Sequence, residues 1–227
     1  SGLKNTFTYM FLVVPIATGL SLLIATLLNG NIKMKALFQT CYFLPMVTSI
    51  TAVGLVWKWL YNYDYGLINY CMSLFGLDPI NWLNNPMYNM AALVIYGIWN
   101  MIPMTTILLL AGFQNVNPQY YTAARVDGAK SMRIFLRITL PLLAPTTVFL
   151  LVTTFLSAMK VFQSVDILTS GGPARSTEVF VYLIYRYAMV DFRMDRAATS
   201  AVMFFIILLT ITATTMKVSD SNVNYDS

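Results

Sequence analysis

Long apolar stretches, separated by short polar loops, leave this chain little choice of fold. Where no water reaches the backbone, its N–H and C=O groups must bond to one another. An apolar stretch of about 20 residues is therefore expected to be a helix crossing the ~30 Å hydrocarbon core of a bilayer. The stretches run from Thr6 to Leu28, Leu37 to Leu60, Tyr88 to Phe113, Leu140 to Val165 and Ala197 to Met216. Only 10% of the residues are charged, against about a quarter in soluble domains, and the mean hydropathy is +0.66. The expected fold is an all-α integral membrane bundle with about five transmembrane helices. No soluble domain interrupts it, so 1–217 reads as a single domain and 218–227 as a cytoplasmic tail. The chain opens at Ser1 rather than Met, and a preceding segment is expected to be missing from it; the first span is too long for a signal-peptide core.

The loops set an orientation. Lys33 and Lys35 lie in the first loop, and Arg125, Lys130, Arg133 and Arg137 in the loop before Leu140, against the single acid Asp127. Lys and Arg gather on the cytoplasmic side, which assigns both loops to it. The loop Tyr61–Met87 has Asp64 and Asp78, no Lys or Arg, and the interface-suited aromatics Tyr61, Tyr63, Tyr65 and Trp82. It is expected outside, with the N-terminus. Asp166–Arg196 is expected outside too. Its apolar stretch Val179–Ala188 is too short to span and reads as a helix lying at the outer interface. Ser170-Gly171-Gly172-Pro173, just before it, reads as a tight turn.

Several chemistries are excluded. There is no histidine, so no His-based metal site and no Ser–His or Cys–His pair. Cys41 lies in an apolar stretch and Cys71 in a loop, neither beside another metal-ligating residue. No catalytic site and no metal site is expected. The net charge of +5 sits in short loops, not on a face that holds nucleic acid. There is no Gly-rich loop with a phosphate-binding Lys.

The basic loop before Leu140 is the most structured of the polar segments. Asn117 is a favoured N-cap and Pro118 suits the first helical position, so Pro118–Val126 should be a short helix. Ala123 and Ala124 give it a small-sided patch for close approach. Asp127-Gly128 ends it, and a second helix with Met132, Ile134, Phe135 and Ile138 leads to Leu140 and Pro141.

The pattern Ala123-Ala124, three residues, Gly128, nine residues, Ile138-Thr139-Leu140-Pro141 resembles the cytoplasmic coupling (EAA) loop of MetI-like permeases of binding-protein-dependent ABC importers. Other stretches agree in order: Asn5-Thr6 with Pro15; Phe43-Leu44-Pro45 with Gly54, Trp57 and Trp59-Leu60-Tyr61; Gly66-Leu67-Ile68-Asn69; Trp99 with Pro103; and Leu168–Pro173. The Gly-Gly-Pro element is similar to the MalF-like partner of the carbohydrate-uptake branch. Two departures stand out. The family's glutamate is Thr122 here, and the family's first span has no counterpart.

The resemblance implies a MetI-like bundle with a cytoplasmic coupling helix. Thr122, Ala123, Ala124, Asp127, Gly128, Ile138, Leu140 and Pro141, within a coupling loop 117–139, would engage an ATPase. It implies a second, MalG-like permease, a cytoplasmic ABC ATPase dimer and an extracellular sugar-binding protein as partners, in the plasma membrane of a bacterium or archaeon. The chain itself would bind no cofactor; ATP and Mg would be used by the ATPase. Span four, taken as continuous with the loop's second helix, would carry motion inward by rigid-body rocking.

Polar side chains at mid-membrane are costly and mark pathways or helix contacts. Asn100, Thr153, Thr154, Thr48, Ser49 and Thr51 are such residues, and no acid lies within a span. The resemblance maps sugar contacts to Gly97, Asn100, Met101, Thr154 and Ala158. The expected function is therefore a sugar permease subunit rather than an enzyme. The nearest rival is a permease for glycerol 3-phosphate or an amino acid; an anionic cargo would favour Lys160 on the pathway. A membrane scaffold explains the spans but not the ordered loop.

Overall fold

The computed structural model describes residues 1–30, 40 and 43–222. Lys33, Lys35, Cys41 and the start of the second expected span lie outside them, as do the last five residues of the expected tail, 223–227.

The described residues form helices α1 (Gly2–Asn29), α2 (Ile50–Leu60), α3 (Leu67–Leu74), α4 (Asn89–Gln114) and α5 (Pro118–Val126). They continue with α6 (Ser131–Leu142), α7 (Ala144–Met159), α8 (Gln163–Leu168), α9 (Phe180–Val190) and α10 (Met194–Asn222). Among the described residues, α1, α4 and α10 are each long and apolar enough to cross a membrane, and α6 with α7 makes a fourth, bent span. α1 has 28 residues, about 42 Å at 1.5 Å per residue, ample for a ~30 Å core.

α1 shows how the bundle is held. Met10, Val13, Val14, Ala17, Ser21 and Ala25 recur at helical spacing and are buried against α4 and α7. Its outward face, with Phe11, Ile16, Leu20, Leu23 and Leu27, is as apolar as the inward one. Such a helix has no polar face to give to water and needs lipid around it. Small residues on the buried stripe bring α1 close to α4, and Ser21 Oγ donates to the carbonyl of Ile102 at 3.3 Å. One apolar core near the N-terminus of α1 holds Tyr9, Met10, Tyr96, Met159, Val165, Val179, Phe180 and Phe204. A second, near the 117–139 loop, holds Ala25, Leu109, Phe113, Leu143 and Leu150.

Two expected spans are interrupted. The second is helical over 43–47, opens at Thr48 and Ser49, and resumes as α2. The Thr48 hydroxyl turns back onto the Pro45 carbonyl at 3.1 Å, and Ser49 is extended at φ −60°, ψ 128°. The fourth is not continuous with the loop's second helix: α6 and α7 meet at an angle of 65°. Pro141 and Pro145 supply no N–H to the helical ladder on either side of Leu143, and residues 135–139 form a wide π turn. α7 also stops at Met159 rather than Val165. The chain then turns, and α8 folds back onto α2, with Ile167 against Gly54.

The Ser170–Pro173 turn forms, with φ 74° at Gly171. α9 buries Phe180 and Tyr182 in the core and exposes Tyr185, Met189 and Val190. Phe180 stacks on Phe204 of α10 with ring centroids 5.2 Å apart. The N-terminus of α1 is tied to the segment before α9: Asn5 Nδ2 donates to the carbonyls of Arg175 and Glu178, each at 3.0 Å.

Candidate functional site: a coupling loop and a cavity

The loop between α4 and α7 has the build its sequence suggests. The Asn117 side chain accepts the N–H of Gln119 at 3.0 Å, and Pro118 occupies the first turn of α5. The helix ends at Asp127, and Gly128 follows with φ 75°. A left-handed residue here admits glycine without strain. The Ala129 N–H returns to the Ala124 carbonyl at 2.9 Å, which closes the turn into α6.

The expected coupling residues differ in exposure. Ala124 is buried; beside the expected set, Ile134 and Thr139 are buried too, and the Thr139 hydroxyl donates to the Ile134 carbonyl at 3.5 Å across the π turn. Ile138 and Leu140 are half-buried. Thr122, Ala123, Asp127, Gly128 and Pro141 are exposed. The Thr122 hydroxyl donates to the Pro118 carbonyl at 3.3 Å. Sequence reasoning missed the apolar exposure around Ala123: Tyr120, Val126 and Met132 all face outward, Val126 with 82% of its surface free. The signal was a run of apolar side chains on a short polar helix with no apolar stretch opposite to cover them.

A cavity of about 710 Å³ opens beside α4 and α7. It is lined by all five residues assigned to the pathway: Gly97, Asn100, Met101, Thr154 and Ala158. Their contributions differ. Gly97 faces the Tyr9 ring, and a side chain there would strike the phenol. Gly97 thus lets α1 and α4 meet. Thr154 Oγ1 donates to the Leu150 carbonyl at 2.7 Å, Thr153 Oγ1 to the same carbonyl at 3.0 Å, and Ser157 Oγ to Thr153 at 2.9 Å. With their protons held by the helix, these hydroxyls present only acceptor lone pairs to the cavity.

Donors come from elsewhere. Asn100, Gln163 and Lys160 line the cavity, and none of them makes a side-chain hydrogen bond or ion pair among the described residues. Lys160 is the one charged residue on the lining, among the described residues. Gln163 and Ser164 were not anticipated, because the early end of α7 and the return of α8 bring them back to the cavity wall.

Residues 6–223 match the family model described as binding-protein-dependent transport system inner membrane component. The chain belongs to this family. It is 33% identical over 214 residues to the trehalose/maltose transport system permease protein MalF of Thermococcus litoralis, covering 94% of this chain and 72% of the relative. It is 30% identical over 228 residues to the sn-glycerol-3-phosphate transport system permease protein UgpA of Agrobacterium fabrum, covering 99% and 77%. Its fold superposes on a chain of a bacterial ABC transporter involved in the import of the acidic polysaccharide alginate, with a TM-score of 0.90 at 26% identity, over 98% of this chain and 79% of that one. The helices described above therefore form the MetI-like permease fold, and the chain is a membrane-integral transport subunit of an ABC importer rather than an enzyme.

Proposed function

We propose that this subunit forms one wall of the path of a sugar through the plasma membrane of a bacterium or archaeon. It works with a second permease, a cytoplasmic pair of ATPases that consume ATP with Mg, and an extracellular binding protein. The observation that carries the reading is the cavity between α4 and α7. It sets backbone-tied hydroxyl acceptors opposite free amide donors, the pattern a hydroxyl-rich solute satisfies from both sides. The MalF relative is a trehalose/maltose permease, which fits the same chemistry.

In this reading α5 and α6 dock on the ATPase through Tyr120, Ala123, Val126 and Met132, and Thr122 offers a neutral hydroxyl where the family offers a carboxylate. Motion then crosses the 65° bend at Leu143. It does so through packing, since Leu143 is fully buried and lies against Gly112 of α4. α4 and α7 move as a packed pair against the second permease, and the cavity they line alternates its opening.

One observation favours a second reading, an anionic cargo. Lys160 lines the cavity, and two similar proteins carry anionic names, the glycerol-3-phosphate permease and the alginate importer. Uptake by the full complex in vesicles, compared across neutral oligosaccharides, uronate oligosaccharides and glycerol 3-phosphate, separates the two. Import of neutral sugars alone supports the first reading, import of anions alone the second. Import of neither defeats both.

A further inference from the structure

Helix α3 turns a largely apolar face outward. Its exposed positions are Leu67, Tyr70, Cys71, Ser73 and Leu74, and all but Ser73 are spaced 0, 3, 4 and 7 on a single face. Phe75 and Leu77 extend that face, Phe75 with 83% of its surface free. The inward side carries Ile68 and Met72 with Asn69 between them. Asn69 is buried and donates to the carbonyls of Tyr63 and Ile80 at 3.1 and 2.9 Å. Its Oδ1 accepts the Trp82 indole N–H at 3.0 Å and the Ile80 N–H at 3.2 Å. These bonds fix the rotation of α3 and hold its apolar face outward.

A contiguous exposed apolar face of this kind marks a contact surface. Its place in the chain indicates what covers it. α3 follows α2 through a tight turn closed by the Gly66 N–H on the Asn62 carbonyl at 3.1 Å. α2 exposes Leu55, Val56 and Trp59 up to that turn, so the lipid-facing surface of the span runs directly into α3. The segment 61–88 carries no Lys or Arg. The face holds no charge, and its polar groups are the Tyr70 phenol and, at its edge, the Ser73 hydroxyl, whose proton is held by the Tyr70 carbonyl at 2.7 Å. That composition lacks the polar rim of a protein interface and matches the headgroup boundary, where tyrosine and aliphatic side chains partition together. We propose that α3 lies in the leaflet opposite the 117–139 loop, with Leu67, Tyr70, Cys71 and Leu74 immersed in lipid, and anchors the end of α2 at the membrane boundary.

Cys71 provides the probe. The full chain, carrying Cys41→Ser so that Cys71 alone bears a nitroxide, is placed in vesicles of phosphatidylethanolamine and phosphatidylglycerol. Collision rates with oxygen and with a water-soluble nickel chelate are compared with those of a label at residue 78, introduced by Asp78→Cys in a background with both native cysteines replaced by serine. The oxygen-to-nickel ratio is expected to be several-fold higher at residue 71 than at residue 78. Equal ratios place the face in water, and low rates with both reagents place it against protein; either overturns the proposal. A second probe needs no thiol: measured as the difference from the unaltered chain with its four native tryptophans, the emission added by Tyr70→Trp should be quenched by lipids brominated high on the acyl chain, and added emission that is unquenched and at the wavelength of exposed indole overturns it again.

Discussion

Thr6 and Phe180 are 174 residues apart and share a hydrogen bond: the Phe180 backbone N–H donates to Thr6 Oγ1 at 2.9 Å. The same hydroxyl donates to the Gly2 carbonyl at 2.9 Å, so both its capacities are used in a fully buried position. With the Asn5 bonds beside it, this contact clips the first helix to the segment entering α9. Asn89, at the head of α4, joins the assembly through the Gly172 carbonyl at 2.7 Å.

Thr6→Val keeps the shape of the side chain and removes its bonding, leaving the Phe180 N–H buried without an acceptor. Orphaning such a donor costs about 1–3 kcal/mol. The midpoint of thermal unfolding of the purified subunit in detergent should fall, while Thr8→Val, at an exposed position on the opposite side of the helix, should leave it in place. An unchanged midpoint for Thr6→Val removes the clip from the account.

Glu178 and Arg186 make a second prediction at the same end of the bundle. They form an ion pair in which the Glu178 side chain is 2% exposed and the Arg186 side chain 16%. Removing one partner from a buried pair leaves a stranded charge and costs about 3–5 kcal/mol, whereas removing both costs much less. Arg186→Gln alone should therefore destabilise the subunit more than the double variant Glu178→Gln with Arg186→Gln. A double-mutant cycle read by chemical denaturation checks this, and additive losses argue that the pair contributes nothing as a pair.

Much of this architecture was legible in the chain. Hydropathy located α1, α4 and α10 because a membrane helix needs only length and apolar composition. The 117–139 loop was legible because Asn117, Pro118 and Gly128 act locally: a cap, a first-turn proline and a left-handed turn depend on their neighbours alone. The bend at Leu143 was not, although Pro141 and Pro145 bracket it, because hydropathy averages over backbone direction and the run reads as one span. Nor was the return of α8, since an apolar segment suits a continuing span or a helix packed back on α2 equally well. The cavity was half legible. Asn100 and Thr154 announced themselves as polar groups among apolar ones, but Gly97 acquires its meaning from Tyr9 on another helix, and Gln163 from a chain reversal.

Gly128 makes a prediction about coupling. A β-branched residue at φ 75° carries a strain of about 1–2 kcal/mol or more, and open space surrounds the position, so no steric clash adds to it. Gly128→Val should re-aim α5 relative to α6 with little effect on the bundle. In the complete transporter, uptake should fall severalfold while ATP hydrolysis by the partner continues. Gly128→Asn, which tolerates the left-handed region better, should retain more uptake than the valine variant. Equal uptake for the valine variant and the unaltered chain would sink the coupling role of this turn.

The cavity makes the last prediction. If Asn100 and Gln163 give their free amide donors to the cargo, each alanine substitution removes about one hydrogen bond. A net ~1 kcal/mol per bond is roughly a fivefold rise in the KM for uptake. The Thr154 hydroxyl is already bonded to the Leu150 carbonyl at 2.7 Å, so Thr154→Val should raise KM less than Asn100→Ala does. That ranking distinguishes cargo contact from helix packing, because a loss of packing at buried Thr154 would affect stability before KM. Basal ATP hydrolysis should not respond to any of the three. A KM that rises most for Thr154→Val, or that does not move for Asn100→Ala and Gln163→Ala together, would mean that the donors facing the cavity do not meet the cargo.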